Sequence, residues 1–361
     1  LLSDHFERAA RAAGAADAPS TAYAIGKKLV EIAGWVNRYN SARVKIDFKN
    51  PNQRVDDTNA RLGKEAEARR AAKLPSEASL NALAKLANMV TQDVDVLRMR
   101  TIELLVCGGW RINELLSIPA DCEVEEQAYE NGEPVLDAQG EPVIRYGIRY
   151  WGEKGAPPLP KWIPTPLVDV AKRAINDIRR ITQTTRDSVA FIQRHPWGVL
   201  ATGLADGDPD ELITMRELVA ILGVFPTGGQ QWCRNWQVPL QKRGATLVAR
   251  RRDIARVIRS DIPELPPDSP LELGEYLFLT PVNFTHPQRV AIPGSIRFLT
   301  DGMVAGFITG KEMAPSAFER FGMVEEDGTP IRMNTHQFRH WLNTLAQHSG
   351  MSQLEIAPSS A

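Results

Sequence analysis

Phe338, Trp341, Leu342 and Leu345 recur at helical spacing within residues 335–345, Thr-His-Gln-Phe-Arg-His-Trp-Leu-Asn-Thr-Leu, which commits one face of a helix to a core. Thr335 is placed to cap its first turn. His336, Arg339 and His340 stand three or four positions apart, so they are neighbours on the helix surface, two of them leaning away from that core. An imidazole beside a guanidinium suits a phosphate oxygen: arginine offers planar paired donors that stay charged at any pH, and histidine adds a donor that titrates. Taken alone, His-x-x-Arg is common, and a solvated helix face is its plainer reading. Its meaning depends on cations far upstream.

The first of these follows a largely apolar helix over residues 96–106, stopped by Gly108-Gly109. Trp-Arg-Ile-Asn-Glu-Leu-Leu-Ser-Ile comes next, with Ile112, Leu115 and Leu116 facing the core and Arg111 in the first turn after the break. A cation at a helix start opposes the helix dipole and is easier to understand if an anion binds there too. The alternative is a surface pair between Arg111 and Glu114. The pattern then turns extended. Residues 142–151 are strand-like, Lys161-Trp162-Ile163-Pro164 is the returning strand, and Gly152-Glu153-Lys154-Gly155-Ala156-Pro157-Pro158 is the hairpin tip between them. Lys154 on that tip is either simply solvated or able to swing to a leaving oxygen as a proton donor. Helix resumes over residues 167–181.

Helical patterns over residues 1–45 and a polar, charged stretch over 50–73 mark an N-terminal helical module and linker, residues 1–73. Leu74-Pro75-Ser76-Glu77 starts a new helix and opens a second domain, 74–361. The expected fold class is mainly α with a small antiparallel β-sheet, that is, α+β. A chain of 361 residues has room for two or three domains, and 43% hydrophobic with 24% charged residues is ordinary for a globular protein. The formal charge of -1 gives no global sign of a polyanion partner, so a nucleic-acid reading rests on local clusters. Cys107, Cys122 and Cys233 are odd in number and scattered, which points to a reducing, cytoplasmic interior and away from disulfides or a zinc site; no metal or cofactor is expected. Cys107 has no evident histidine partner, so cysteine catalysis is disfavoured. No run approaches the length needed to cross a bilayer, and no membrane role is expected. The first residue is not methionine, so the chain is expected to be a piece of a longer one.

Residues 207–262 form an apparent insertion. A cap, a helix over 213–223 ending in glycine and a second helix over 230–236 suggest a helix-turn-helix unit similar to a winged or excisionase-like module. Between residues 211 and 260, nine arginines and lysines face three acids, and Arg250, Arg251 and Arg252 are the expected contacts to a DNA backbone. A protein-contact or purely structural insertion is the alternative.

With these pieces in order, the chain resembles the tyrosine recombinase (phage integrase) family over most of residues 74–192 and 275–357, and more loosely in the N-terminal module. Cys-Gly-Gly-Trp-Arg-Ile-Asn-Glu-Leu-Leu-Ser-Ile is similar to the first arginine box, and Thr-His-Gln-Phe-Arg-His to the second. The resemblance implies a fold like that of DNA breaking-rejoining enzymes, preceded by a helical core-binding domain. It assigns Arg111, Lys154, His336 and Arg339 as catalytic, Glu114 and His340 as supporting, and Lys161 as a secondary lysine or DNA contact. It also implies double-stranded DNA as partner, a tetramer on DNA, and a metal-free reaction through a 3′-phosphotyrosyl link. Guanidiniums in place before the reaction stabilise the charge that builds on phosphoryl oxygens, and a lysine protonates the leaving 5′-oxygen. The family's nucleophilic tyrosine follows the second arginine. Here the last tyrosine is Tyr276, in the apolar run Glu-Tyr-Leu-Phe-Leu and expected to be core, so the nucleophile is expected to be missing from these 361 residues and the polypeptide to bind DNA without cleaving it. A DNA-binding regulator keeping the fold without chemistry and a type IB topoisomerase relative are the competing readings.

Overall fold

A computed structural model of the chain describes residues 2–54, 74–130, 132–152, 158–195, 197, 207–265, 269–310 and 314–348. It divides into two compact units, residues 1–72 and 73–361. The fold is α+β, mainly helical with small antiparallel sheets.

In the first unit, α1 (Ser3–Ala16) packs on α2 (Pro19–Arg38), which begins with proline at a position where an N–H would find no helical partner anyway. Phe6, Ala10, Ala33, Ile46 and Phe48 form its core, with the Phe6 and Phe48 rings 5.7 Å apart. The chain after α2 has no ladder to satisfy its backbone, so asparagines do it. Asn37 donates to the Ile46 carbonyl and accepts from the Ile46 N–H, both at 2.8 Å. Asn52 donates to the carbonyls of Ala10 and Ala22 at 3.0 and 3.1 Å, and Asn50 to that of Tyr23 at 3.0 Å. Asn50 and Asn52, which composition alone assigns to a solvated linker, are thus half-buried ties within the first unit.

The second unit is built round α4 (Asp93–Gly108), preceded by α3 (Glu77–Met89), whose cap Ser76 accepts from Ser79 N–H at 2.9 Å. Val96, Leu97, Met99, Ile102, Leu104 and Leu105 are buried around the circumference of α4, so this helix is enclosed by the core. The short α5 (Ile112–Leu116) follows its glycine break. Beside α4 runs α6 (Val168–Arg194), cross-linked to it by Arg100 with Asp177 and Arg173 with Glu103, each pair at 2.7 Å. This helix runs thirteen residues past the expected end at Ile181.

Strands β1 (Glu123–Gln127), β4 (Ile144–Tyr150) and β5 (Leu159–Trp162) form an antiparallel sheet in the order β1-β4-β5, and β2 (Tyr129–Glu130) pairs with β3 (Glu133–Pro134). Lys161 stands opposite Ile148. Cross-strand partners share a face, as do alternate residues of one strand. Lys161 therefore belongs with Tyr146, Ile148 and Tyr150 on the face that enters the core, where Tyr146 and Ile148 are buried. The returning strand includes the expected Lys161 and Trp162 but starts two residues earlier, at Leu159, and ends before Ile163.

A second core begins at the far end of α6. Strands β6 (Leu212–Thr214), β8 (Thr246–Arg250) and β7 (Leu240–Arg243) form a sheet in that order, with α7 (Met215–Leu222), α8 (Gly228–Asn235) and α9 (Arg251–Ser260). Their buried residues pack with Val189 and Ile192 of α6, with Leu273 and Tyr276, and with Leu279 and Ile296 from the hairpin of β9 (Leu279–Val282) and β10 (Ile292–Phe298). The helices expected within 207–262 are present, but their core is shared with the surrounding domain. Tyr276 is core, as expected: it is buried, edge-on to Phe298, and hydrogen-bonded to Ser269 at 2.7 Å.

The chain then forms α10 (Asp301–Thr309), α11 (Ala317–Arg320) and α12 (Thr335–His348). One expectation is corrected here. The cap of α12 is Asn334, whose side chain accepts from the N–H groups of His336 and Gln337 at 3.1 and 3.2 Å while Gln337 accepts from Asn334 N–H at 2.8 Å. Thr335 is the first helical residue. Phe338 is fully buried, Trp341 and Leu342 are half-buried, and Leu345 is exposed.

Candidate functional site

Helix α4 ends at Gly109, which takes φ +60 and donates its N–H to the Leu105 carbonyl at 2.8 Å. A side chain there would be strained by the left-handed backbone, and its Cβ would stand 3.0 Å from Leu342 Cδ1 and 3.7 Å from Arg339 Cα. The glycine therefore allows α12 to lie against the end of α4. The next residue, Trp110, is buried, and Arg111 caps α5.

Glu114 organises the site. At the third position of α5 it reaches back, one carboxylate oxygen accepting from Arg111 N–H at 2.9 Å and the other from Arg111 Nη1 at 2.7 Å. A carboxylate is favoured at a helix N-terminus, and here it anchors the arginine side chain that follows the break. Arg339 arrives from α12, with Nη1 3.9 Å from Glu114 Oε2. The Glu114 side chain is 1% exposed, that of Arg339 10% and that of Arg111 30%. Burial of a carboxylate to that extent requires charged partners, and removing one side of such a pair costs about 3–5 kcal/mol. The surface pair of Arg111 and Glu114 weighed from sequence is real, but its acid is interior and is shared with the second arginine.

Lys161 joins this group. Its Nζ lies 5.7 Å from the Trp110 ring centroid and 5.8 Å from that of Tyr150, within cation–π range, and the two rings meet edge-on at 6.3 Å. Burial, followed by repulsion from Arg339 and then Arg111, outweighs attraction to Glu114 and pushes the Lys161 ammonium down to about 8. The Tyr150 hydroxyl is pushed up, chiefly by burial and next by Glu114. Three cations from three elements, α5, β5 and α12, thus gather around one carboxylate and two aromatic rings. Such a group offers several charge-assisted donors to one tetrahedral anion.

The structure brings together Arg111, Glu114, Arg339 and Lys161. His336 is exposed in the first turn of α12, three residues before Arg339, with its ring edge-on to His340 at 4.9 Å. Lys154 lies outside the described residues. Arg250 and Arg252 both pair with Asp210, at 2.7 and 3.1 Å, and Arg251 is buried with its Nε donating to Glu211 at 2.8 Å. All three therefore have acidic partners within the protein itself. Trp110 and Tyr150 were not singled out from sequence. Their signals were adjacency to Arg111 for the one, and strand alternation from the buried Ile148 for the other.

Cys107, Cys122 and Cys233 are buried, which pushes their thiols up to about 12, 12 and 11 and suits inert packing. Among the described residues, no group of three or more His, Cys, Asp or Glu is placed to hold a metal ion, and no helix is long and apolar enough to cross a membrane.

No family model matches the chain, and no curated protein matches it. Among solved structures, it is similar to that of the XerH site-specific recombinase bound to difH substrate in a pre-cleavage complex, at 10% identity and a TM-score of 0.39. The likeness covers 96% of this chain and 60% of that one, so the chain spans about 60% of the length of that neighbour.

Proposed function

We propose that this chain is a site-specific DNA recombinase of the tyrosine type, or the greater part of one, and that the cluster around Glu114 is its phosphate-binding centre. The observation that carries the reading is that Arg111 and Arg339, far apart in sequence, share the buried Glu114, with Lys161 alongside. Arg111 and Arg339 donate to the non-bridging oxygens of a DNA phosphodiester, where charge accumulates as a nucleophile adds. Glu114 positions Arg111 through two hydrogen bonds. Lys161, its ammonium pushed down to about 8, gives a proton to the 5′-oxygen as its bond to phosphorus breaks, a role the resemblance gives to Lys154. His336 and His340 are proposed to steady the phosphate and to support the helix, respectively. The attacking group is a tyrosine, which ends as a 3′-phosphotyrosyl ester, and four copies act on two duplexes.

None of the six tyrosines follows Arg339. Residues 1–361 are accordingly proposed to bind DNA and leave it uncut; the second reading is a DNA-binding regulator without chemistry. A nicked duplex separates the parts. We expect retention of the duplex that falls about tenfold to a hundredfold on Arg111→Ala or Arg339→Ala, each removing charge-assisted bonds worth about 1.5–3 kcal/mol. We also expect no covalent adduct on denaturing gels with this polypeptide. Binding indifferent to both arginines removes the phosphate site, and an adduct formed by residues 1–361 refutes the account of the nucleophile. If the full gene product binds through these arginines yet never forms an adduct, the regulator reading takes over.

A further inference from the structure

The segment beyond α6 carries more positive charge than its fold consumes. Of the nine basic residues between positions 211 and 260, five are engaged. Arg250 and Arg252 pair with Asp210, Arg251 with Glu211 and Arg256 with Asp253, while Arg259 donates to the carbonyls of Ile192 and His195 at the end of α6. The other four, Arg216, Arg234, Lys242 and Arg243, make no ion pair among the described residues. Three of these are on α8 and on the β7–β8 hairpin that follows it. From residue 218 to residue 252 the sequence has no aspartate or glutamate at all.

The local architecture presents those three cations outward. Helix α7, capped by Thr214 and Glu217, ends at Gly223, and α8 packs back against it, burying Leu218, Ile221, Leu222 and Cys233. The other side of α8 exposes Gln231, Arg234 and Asn235, with Gln231 Nε2 donating to Asn235 Oδ1 at 2.7 Å. Five residues after Asn235 the chain enters β7, where Gln241, Lys242 and Arg243 are exposed. Arg243 pairs with Thr246, which leaves a two-residue turn, Gly244-Ala245, with Gly244 at φ +61. A left-handed first turn residue matches the twist of a tight hairpin, so the tip projects without a long loop. A helix followed by such a projecting hairpin is shaped to enter one groove and straddle its phosphates.

We propose that α8 and the β7–β8 hairpin form a duplex-DNA contact distinct from the arginine cluster. Gln231 and Asn235 face base edges in the major groove, and Arg234, Lys242 and Arg243 contact phosphates. Duplex DNA is favoured over an acidic protein because the exposed cations are interleaved with side-chain amides, the groups that pair with adenine edges. This contact supplies sequence preference whether or not strand transfer occurs at Glu114.

The test is a salt titration of binding to a duplex of about three helical turns by the 361-residue chain, comparing wild type with the triple variant Arg234→Gln, Lys242→Gln, Arg243→Gln. Each lost phosphate contact lowers the slope of log affinity against log salt by about 0.9, so a decrease of between two and three is expected. The same decrease is expected in an Arg111→Ala, Arg339→Ala background, which separates this proposal from the reading of the cluster. The pair Gln231→Ala, Asn235→Ala is expected to flatten sequence preference in selection from a randomised duplex pool while keeping the slope. Should the triple variant not fold, Arg234→Gln alone is expected to lower the slope by about one. An unchanged slope overturns the proposal, and an unchanged slope with altered self-association in sedimentation makes the face a contact between proteins.

Discussion

Lys161 shows at the scale of one residue how packing changes what a side chain can do. Its ammonium shares a strand face with the buried Ile148 and is pushed from its ordinary value near 10.5 down to about 8 by burial and by Arg339. Two consequences follow for pH. Between about 8 and 10.5 the unfolded chain binds this proton more readily than the folded one, so the lysine's contribution to stability rises with pH across that window. A phosphate in the site favours the ammonium, so binding above about pH 8 must take up a proton. Affinity for DNA should therefore fall as pH rises beyond 8, by at most about tenfold per pH unit, and Lys161→Gln should bind more weakly below pH 8 with that fall removed. Fluorescence anisotropy from pH 6.5 to 9.5 reads this out, and an identical fall in Lys161→Gln would place the titrating group elsewhere. The sequence already showed Arg111 beside Glu114 and an arginine on α12. The burial of Lys161 is not legible there, because the register that turns it inward is fixed only by the pairing with β4.

At the scale of elements, the join between α4 and α12 determines whether the two arginines meet. Gly109 serves that join twice, through its left-handed backbone and through the space it leaves for Leu342. Gly109→Ala should cost about 1–2 kcal/mol from the backbone alone. Its methyl should also shift α12 and weaken DNA binding. Gly132 supplies the control, since it has φ +88 and open space where a Cβ would go. Gly132→Ala should lose comparable stability in urea unfolding and keep full affinity. Equal affinity for the two variants would show that the close approach of Gly109 and Leu342 does not matter to the site. Element boundaries were legible where chemistry marks them. Ser76 and Thr214 are caps, and α4 stops at the Gly108-Gly109 pair. At α12 the capping-box rule would have chosen correctly, because Asn334 has Gln337 three residues on, whereas Thr335 has Phe338. The sequence pattern of α6 stops at Ile181 for a different reason. Its next turns bury Thr182 and Ser188, whose hydroxyls donate to the carbonyls of Ile178 and Thr184, so a face that reads as polar packs as if apolar.

For the second unit taken whole, α6 joins two cores that the sequence gives no reason to link. Its 27 residues span about 40 Å, with Ala171, Ala174, Ile175 and Ile178 in the core around α4, and Val189 and Ile192 in the core around α7–α9. Arg259 of α9 fastens onto carbonyls at the C-terminal end of the same helix, where a cation also suits the dipole. The order of Arg111 and Arg339 can be read along the chain, but this coupling cannot, because the core that Val189 and Ile192 join also draws on Tyr276, Leu279 and Ile296, far away in sequence. If a continuous helix transmits stability between the cores, damage at one end must be felt at the other. Ile192, 2% exposed, is the probe. Ile192→Ala should cost about 2–5 kcal/mol by leaving a cavity in the second core. In native-state hydrogen exchange, that loss should speed the amides of α4 and of α7 by comparable factors, because one cooperative unit opens for both. Faster exchange confined to α7–α9, with α4 unchanged, would mean that the two cores open independently. The segment from β6 to α9 would then be a module carried by the unit, and the DNA contact proposed for it should be transferable to another protein without disturbing the cluster at Glu114.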